Sequence, residues 1–246
     1  MLALVDGKTI TVLDPCQDHK QVGEGDVGPN TGGMGSYCPT PLSSDSVMEE
    51  VSRDVLVSTV DALRREGIEF RGVLYAGIML TAGGPRVLEF NTRFGDPETQ
   101  PLMARLQGDL VEILWRTAGG ELDGNELSFD PRSACCVVVC SEGYPGTVRT
   151  GQVVEGLETA ANVAGPGEDV MIFHAGTTTD PQGNIVTAGG RVFGVTALAA
   201  DLRRAQELAN LAASRIRFPG AFFRRDIGHR VLTQAAASAA NAPGRG

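Results

Sequence analysis

Leu88 and Phe90 alternate with Glu89, Asn91 and Arg93, and only an extended strand gives a two-residue period a use. The alternation predicts that Glu89, Asn91 and Arg93 share one face while Leu88, Phe90 and Phe94 turn into a core on the other. A second apolar run, Val73 to Leu80, precedes it, and Thr81-Ala82-Gly83-Gly84-Pro85 separates the two. Two such runs around a breaker cluster predict an antiparallel hairpin. A shorter one is expected at the start, where Leu2 to Val5 and Thr9 to Leu13 flank Asp6-Gly7, a dipeptide suited to a tight turn.

Helices are legible around this sheet. Ser46 and Glu49 read as a capping box, and Val47, Val51, Val55 and Ala62 recur at helical spacing until Gly67 stops them. Leu102, Leu106, Leu110, Ile113 and Thr117 line one face of a helix opened by Pro101 and closed by Gly119-Gly120. A turn-rich stretch, Gly120 to Pro131, leads to a strand-rich block with runs at Ala134–Cys140, Val170–His174 and Arg191–Ala197. A last helix sets Leu198, Leu202, Ala205, Leu208, Ala212 and Ile216 on one side. The expected architecture is α+β with mostly antiparallel sheet. Its divisions are 1–119, a smaller strand-rich domain over 132–232, and a disordered tail over 233–246 composed of Ala, Ser, Gly and Pro.

Composition narrows the function classes. A net charge of −9 offers no basic face to nucleic acid or anionic lipid, so neither is an expected partner. No run approaches membrane-spanning length, and Met1 to Val5 carries no basic leader, which together predict a cytoplasmic protein. Five cysteines, an odd number without a Cys-x-x-Cys pair, argue against a disulfide framework or a zinc site. Cys135, Cys136 and Cys140 are expected to be reduced strand residues.

Three segments carry candidate chemistry. A carboxylate and an amide oxygen two residues apart on a strand stand about 6 to 7 Å from each other, and both donor types suit a hard cation such as Mg²⁺. Glu89 and Asn91 meet that description, and Arg93 beside them is a candidate phosphate clamp. Next, Gln17-Asp18-His19-Lys20 runs into a stretch with six glycines between Gly23 and Gly35, too many breakers for helix or strand. Such a loop lets backbone N–H groups approach an anion, with Lys20 and His19 as extra donors. No Gly-Lys-Ser/Thr follows, so it is not a P-loop. Last, Gly143–Gly146, His174–Thr177 and Thr187–Arg191 each border a strand, where turns require glycine anyway.

Taken with Gly28–Gly35, Leu74–Gly77, Leu88–Pro101, Gly189–Val192 and Arg225–Gly228, these segments make the chain resemble the phosphoribosylamine–glycine ligases, or glycinamide ribonucleotide synthetases, of the ATP-grasp superfamily. The resemblance runs from Leu2 to about Val231. It implies the C-terminal lobe of an ATP-grasp domain followed by the family's C-terminal domain. It implies ATP with Mg²⁺ or Mn²⁺ as cofactors, and glycine and 5-phosphoribosylamine as substrates joined through a glycyl phosphate. By the same resemblance Glu89 and Asn91 are metal ligands, and Arg93 and Lys20 contact the nucleotide phosphates. Asn30, Thr31, Gly32, Gly33 and Asp96 face the substrates, with Arg93 and Asp96 at the reacting groups.

The resemblance also implies pieces not found here. Family members begin with a βαβ-type domain and a first ATP-grasp lobe bearing the adenine pocket, whereas Leu2 already aligns within the second lobe. The expectation is an N-terminally shortened enzyme, inactive alone, with an exposed sheet edge and apolar surface where the missing half would pack. The alternatives are a residual non-catalytic module, a subunit completed by a separate N-terminal chain, and a carboxylase-type ATP-grasp enzyme. The last would lack the Gln17 to Gly35 pattern.

Overall fold

The computed structural model describes residues 1–122 and 127–233, so all of the tail expected over 233–246 except Thr233, which is helical, and the centre of the 120–131 stretch lie outside the described residues. The chain packs as two compact units that interleave along the sequence. One comprises 1–16, 39–95 and 106–130, and the other 17–38, 96–105 and 131 onward.

The first unit is built on a four-stranded antiparallel sheet in the order Ile10–Val12, Leu2–Asp6, Arg71–Thr81, Gly84–Asn91. Both expected hairpins form. Strand Leu2–Asp6 is buried along its whole length, because Leu56 and Val60 of a helical segment cover Ala3, Val5, Leu74 and Ala76. That segment runs Asp45–Val51 as α-helix, Ser52–Val57 as π-helix and Ser58–Arg65 as α-helix. Its cap is Ser44 rather than Ser46: the Ser44 hydroxyl accepts from Val47 N–H, while the Ser46 hydroxyl lies 2.9 Å from that of Ser44.

The single helix expected from Leu102 to Thr117 is two. Thr99–Arg105 ends at a short strand, Leu106–Gln107, paired with Ser128–Phe129, and Leu110–Gly119 begins afresh from Asp109, whose carboxylate accepts from Val111 and Glu112 N–H. Gly108 makes the break at φ +113°, a left-handed conformation that ends a helix and that side-chain-bearing residues rarely adopt. The apolar period ran across the break because both pieces have a buried stripe.

In the second unit a five-stranded antiparallel sheet has the order Asp169–His174, Arg191–Ala199, Ser133–Cys140, Gly35–Cys38, Gln17–Asp18. Cys135, Val137 and Val139 belong to the core that includes Leu208, Ala209 and Ala212 of helix Leu202–Arg215. On the alternate positions, Cys136 approaches Gly194, which faces Gln100 of helix Thr99–Arg105. Coverage on both faces explains why Ala134–Cys140 reads as an unbroken apolar run. It also makes these cysteines inert packing groups: burial pushes the Cys136 and Cys140 thiols up to about 12. The last helix starts one turn later than its apolar period, since Leu198 belongs to the strand and Asp201 caps the helix by accepting from Arg204 N–H.

The glycine-rich stretch is not a plain loop. Gln21–Gly23 and Val27–Asn30 pair as a small antiparallel hairpin, and Gly35 opens the next strand. Long-range ion pairs supply what its weak strand propensity lacks. Arg224, 1% exposed, binds Asp26 and Asp226, Arg230 also binds Asp26, and Gly25 N–H donates to Asp226.

Candidate functional site

In the first unit, Glu89 and Asn91 lie on strand Gly84–Asn91 opposite Gly77 and Tyr75 of its neighbour. A β-carbon at Gly77 would stand 3.0 Å from Cγ of Glu89, so glycine there leaves the carboxylate its place. Neither side chain has a hydrogen-bond or ion-pair partner among the described residues. Two hard oxygen donors on one strand face, open and unpaired, fit a divalent cation such as Mg²⁺.

Two expectations for this strand fail. The side opposite Glu89 is not core: Leu88 is 65% and Phe90 44% exposed. The strand also ends at Asn91, so Arg93 is not on its ladder; Arg93 Nη1 donates to the carbonyl of Phe94, and its other donors have no partner among the described residues.

The remaining expected residues belong to the second unit. Lys20 Nζ is 2.6 Å from Oδ2 of Asp18, whose side chain is 7% exposed. Burial, then the negative charge of Glu98, pushes the Asp18 carboxyl up to about 7, against the pull of Lys20. Next to it, burial and the charge of Arg224 push His19 down to about 4. His19 is a structural residue in its neutral form, because its Nε2 accepts from Gly228 N–H at 3.0 Å.

The Asn30–Gly33 segment is fastened from several sides. Thr31 donates through both its amide and its hydroxyl to the carbonyl of Lys20, and the hydroxyl in turn accepts from Gly33 N–H at 2.9 Å. Gly32 N–H donates to the hydroxyl of Tyr144 at 2.9 Å. These two amides, expected to face an anion, are thus engaged within the unit. Gly33 sits at φ +120°, and a β-carbon there would fall 2.4 Å from Pro97 and 2.8 Å from Asp18 Oδ1. No other residue fits.

Asp96 is tied into the same cluster. Gln100 donates to its Oδ1 at 3.0 Å, and Arg191 Nη2 donates to its Oδ2 at 3.0 Å. Arg191 Nη1 donates at 2.7 Å to the carbonyls of both Gly32 and Asp96. Tyr144 and Arg191 were legible only as turn neighbours in sequence. The available signal was Gly190, where a β-carbon would meet the Tyr144 ring at 2.3 Å, so these glycines serve packing beyond the turn itself.

No helix among the described residues is long and apolar enough to cross a membrane.

Comparisons with known proteins bear on the family and the fold. Residues 1–99 match the family model "Phosphoribosylglycinamide synthetase, ATP-grasp (A) domain", and 134–230 match "Phosphoribosylglycinamide synthetase, C domain". The phosphoribosylamine–glycine ligase of Rhodopirellula baltica is 48% identical over 236 residues, covering 96% of this chain and 53% of that protein. The ligase of Vigna unguiculata is 48% identical, covering 89% of this chain and 70% of its own length. The crystal structure of the Thermotoga maritima phosphoribosylamine–glycine ligase superposes with a TM-score of 0.78 at 32% identity, over 92% of this chain and 54% of that one. The biotin carboxylase domain of the Hydrogenobacter thermophilus 2-oxoglutarate carboxylase shares the fold alone, with a TM-score of 0.59 at 16% identity over 90% of this chain and 45% of that one. The chain spans about half the length of most of these relatives. Its matches in sequence and structure together place it in the phosphoribosylamine–glycine ligase family, within the ATP-grasp fold.

Proposed function

We propose that this chain carries the metal-holding part of a cytoplasmic phosphoribosylamine–glycine ligase, which joins glycine to 5-phosphoribosylamine while converting ATP to ADP and phosphate. The observation that carries the reading is the Glu89 and Asn91 pair, open and unpaired on one strand face with Gly77 clearing the place opposite. Those two residues would hold Mg²⁺ or Mn²⁺. When bound, the ion neutralises charge on the phosphoryl group passing from ATP to the glycine carboxylate.

The chain's own residues then have positioning and electrostatic work. Arg93, with donors to spare, offsets phosphate charge beside the Glu89 and Asn91 pair. Asp96, fixed by Gln100 and Arg191, orients a substrate amine next to the fastened Asn30–Gly33 segment. The amine attacks the glycyl carbonyl carbon, a C–N bond forms, the C–O bond to phosphate breaks, and phosphate departs with the electron pair and takes up the proton that the amine nitrogen loses.

The test is a fusion of this chain behind the preceding half of the Rhodopirellula baltica relative. Phosphate release dependent on ATP, glycine and 5-phosphoribosylamine is expected, and Glu89→Gln should lower it by about 100-fold or more. The unfused chain is expected to be inactive. A folded fusion without that activity, or one indifferent to Glu89→Gln, overturns the reading.

A further inference from the structure

We propose that Arg191 is a preorganised fork for an oxyanion carried by one of the two substrates, the phosphate of the sugar amine or the carboxylate of glycine. This deepens the ligase reading and rests on it. A guanidinium has five N–H donors. Three are committed at Arg191, to the carbonyls of Gly32 and Asp96 and to Asp96 Oδ2, and these bonds fix the plane of the group. The two left over, on the adjacent nitrogens Nε and Nη2, have no partner among the described residues. The side chain is 23% exposed, so the group is not sealed from solvent.

Adjacent nitrogens on one guanidinium edge match the oxygens of a phosphate or carboxylate through two parallel bonds. The usual cost of ordering an arginine for that purpose is already met by the three internal bonds. Asp96 cancels part of the charge, so recognition rests on the directed N–H pair more than on net field. The placement also suits substrate binding. The same guanidinium grips Gly32 and Asp96, both substrate-facing by family resemblance, so an oxyanion on its free edge would lie beside them.

The experiment follows the arginine Nε–H resonances of the full chain by ¹⁵N NMR during titration with ribose 5-phosphate, ribose, glycine and inorganic phosphate. The Arg191 signal is identified by its loss in Arg191→Lys. A shift caused by ribose 5-phosphate where ribose and inorganic phosphate are silent supports the fork and assigns the sugar phosphate; a shift with glycine alone supports it and assigns the carboxylate. Arg191→Lys, which keeps the charge but not the fork, is expected to weaken that ligand by about 10- to 100-fold. Equal response to inorganic phosphate overturns the substrate assignment. If other resonances move while Arg191 stays still, the inference fails and the ligase reading stands. If nothing moves with either substrate, both fail.

Discussion

Strands Ser133–Cys140 and Gly84–Asn91 are equally long, and they put apolar side chains to opposite uses. Seven of the eight residues of the first are buried and none of the second is, with Val87, Leu88 and Phe90 all 40% exposed or more. Met79 and Leu80 on the neighbouring strand are exposed as well. The first strand is clamped between helices Leu202–Arg215 and Thr99–Arg105, so its sequence records packing. The second holds the open oxygen pair of Glu89 and Asn91, and its apolar residues gain little from folding of this chain. Packing and open donor chemistry are thus segregated between these two strands.

Two phenylalanines test that segregation most sharply. Phe193 is 0% exposed in the second unit's core, so Phe193→Ala is expected to cost about 3 to 5 kcal/mol. Phe90→Ala, at a residue 44% exposed, should stay within about 0.5 kcal/mol. Urea unfolding of both variants gives the comparison directly, and similar losses at the two sites would break it.

The next largest effect is expected at Arg224. Its guanidinium is 1% exposed and binds Asp26, Asp226 and the carbonyl of Gln21. Arg224→Met removes the cation and leaves two carboxylates without it, an error costing about 3 kcal/mol. Because Asp26 sits at the tip of the Gln21–Asn30 hairpin, proteolysis should then cut first within that hairpin. A variant as resistant as the parent would show that the hairpin needs no such anchor.

A smaller effect follows from two neighbours with opposite titration. Asp18, raised to about 7, binds a proton more tightly folded than unfolded, so its contribution is present below about pH 4 and is lost as pH rises through 7. His19, lowered to about 4, is neutral when folded, and its contribution is lost as pH falls from about 6.5 to 4. The two slopes oppose each other over the same window. Stability of the parent should therefore change little between pH 4 and 6.5. Asp18→Asn is expected to leave stability rising with pH across that window, and His19→Gln to leave it falling. Chemical denaturation at several pH values reads the sign, and unchanged profiles would remove both groups from the account.

How much of this was legible follows from range. The hairpins around Gly7 and Gly83, the strands of the second unit and the helical segment over 45–65 are local patterns, and they appear where period and turn chemistry put them. Glu89 and Asn91 share a strand, so their common face was legible too. Asp109 and Gly108 carried a readable signal for a helix break, masked by apolar residues that kept the period across it. The interleaving of units was not legible, because Gln17–Cys38 joins its sheet through pairing with Ser133–Cys140, about a hundred residues away. Tyr144 and Arg191 were hidden for the same reason: what they hold, Gly32 and Asp96, is remote in sequence. The exposure of Leu88 and Phe90 is not legible in sequence, because alternation reports which residues share a face and not whether anything covers it.

The smallest expected change in stability bears on that last point. Leu88, 65% exposed, has little burial to lose, so Leu88→Ser should move the unfolding free energy by no more than about 0.5 kcal/mol. Its effect should appear instead in association, since Met79, Leu80, Val87, Leu88 and Phe90 give one hairpin a concentration of exposed apolar side chains. Light scattering of the purified chain over a concentration series is expected to show less self-association for Leu88→Ser than for the parent. The control is Val111→Ser at another exposed site, 75% accessible on helix Leu110–Gly119, which should leave association unchanged if the hairpin is the sticky surface. Equal improvement from both would mean that general surface polarity, and not this strand, governs the behaviour of the chain. The contrast between the two strands would then reduce to burial alone.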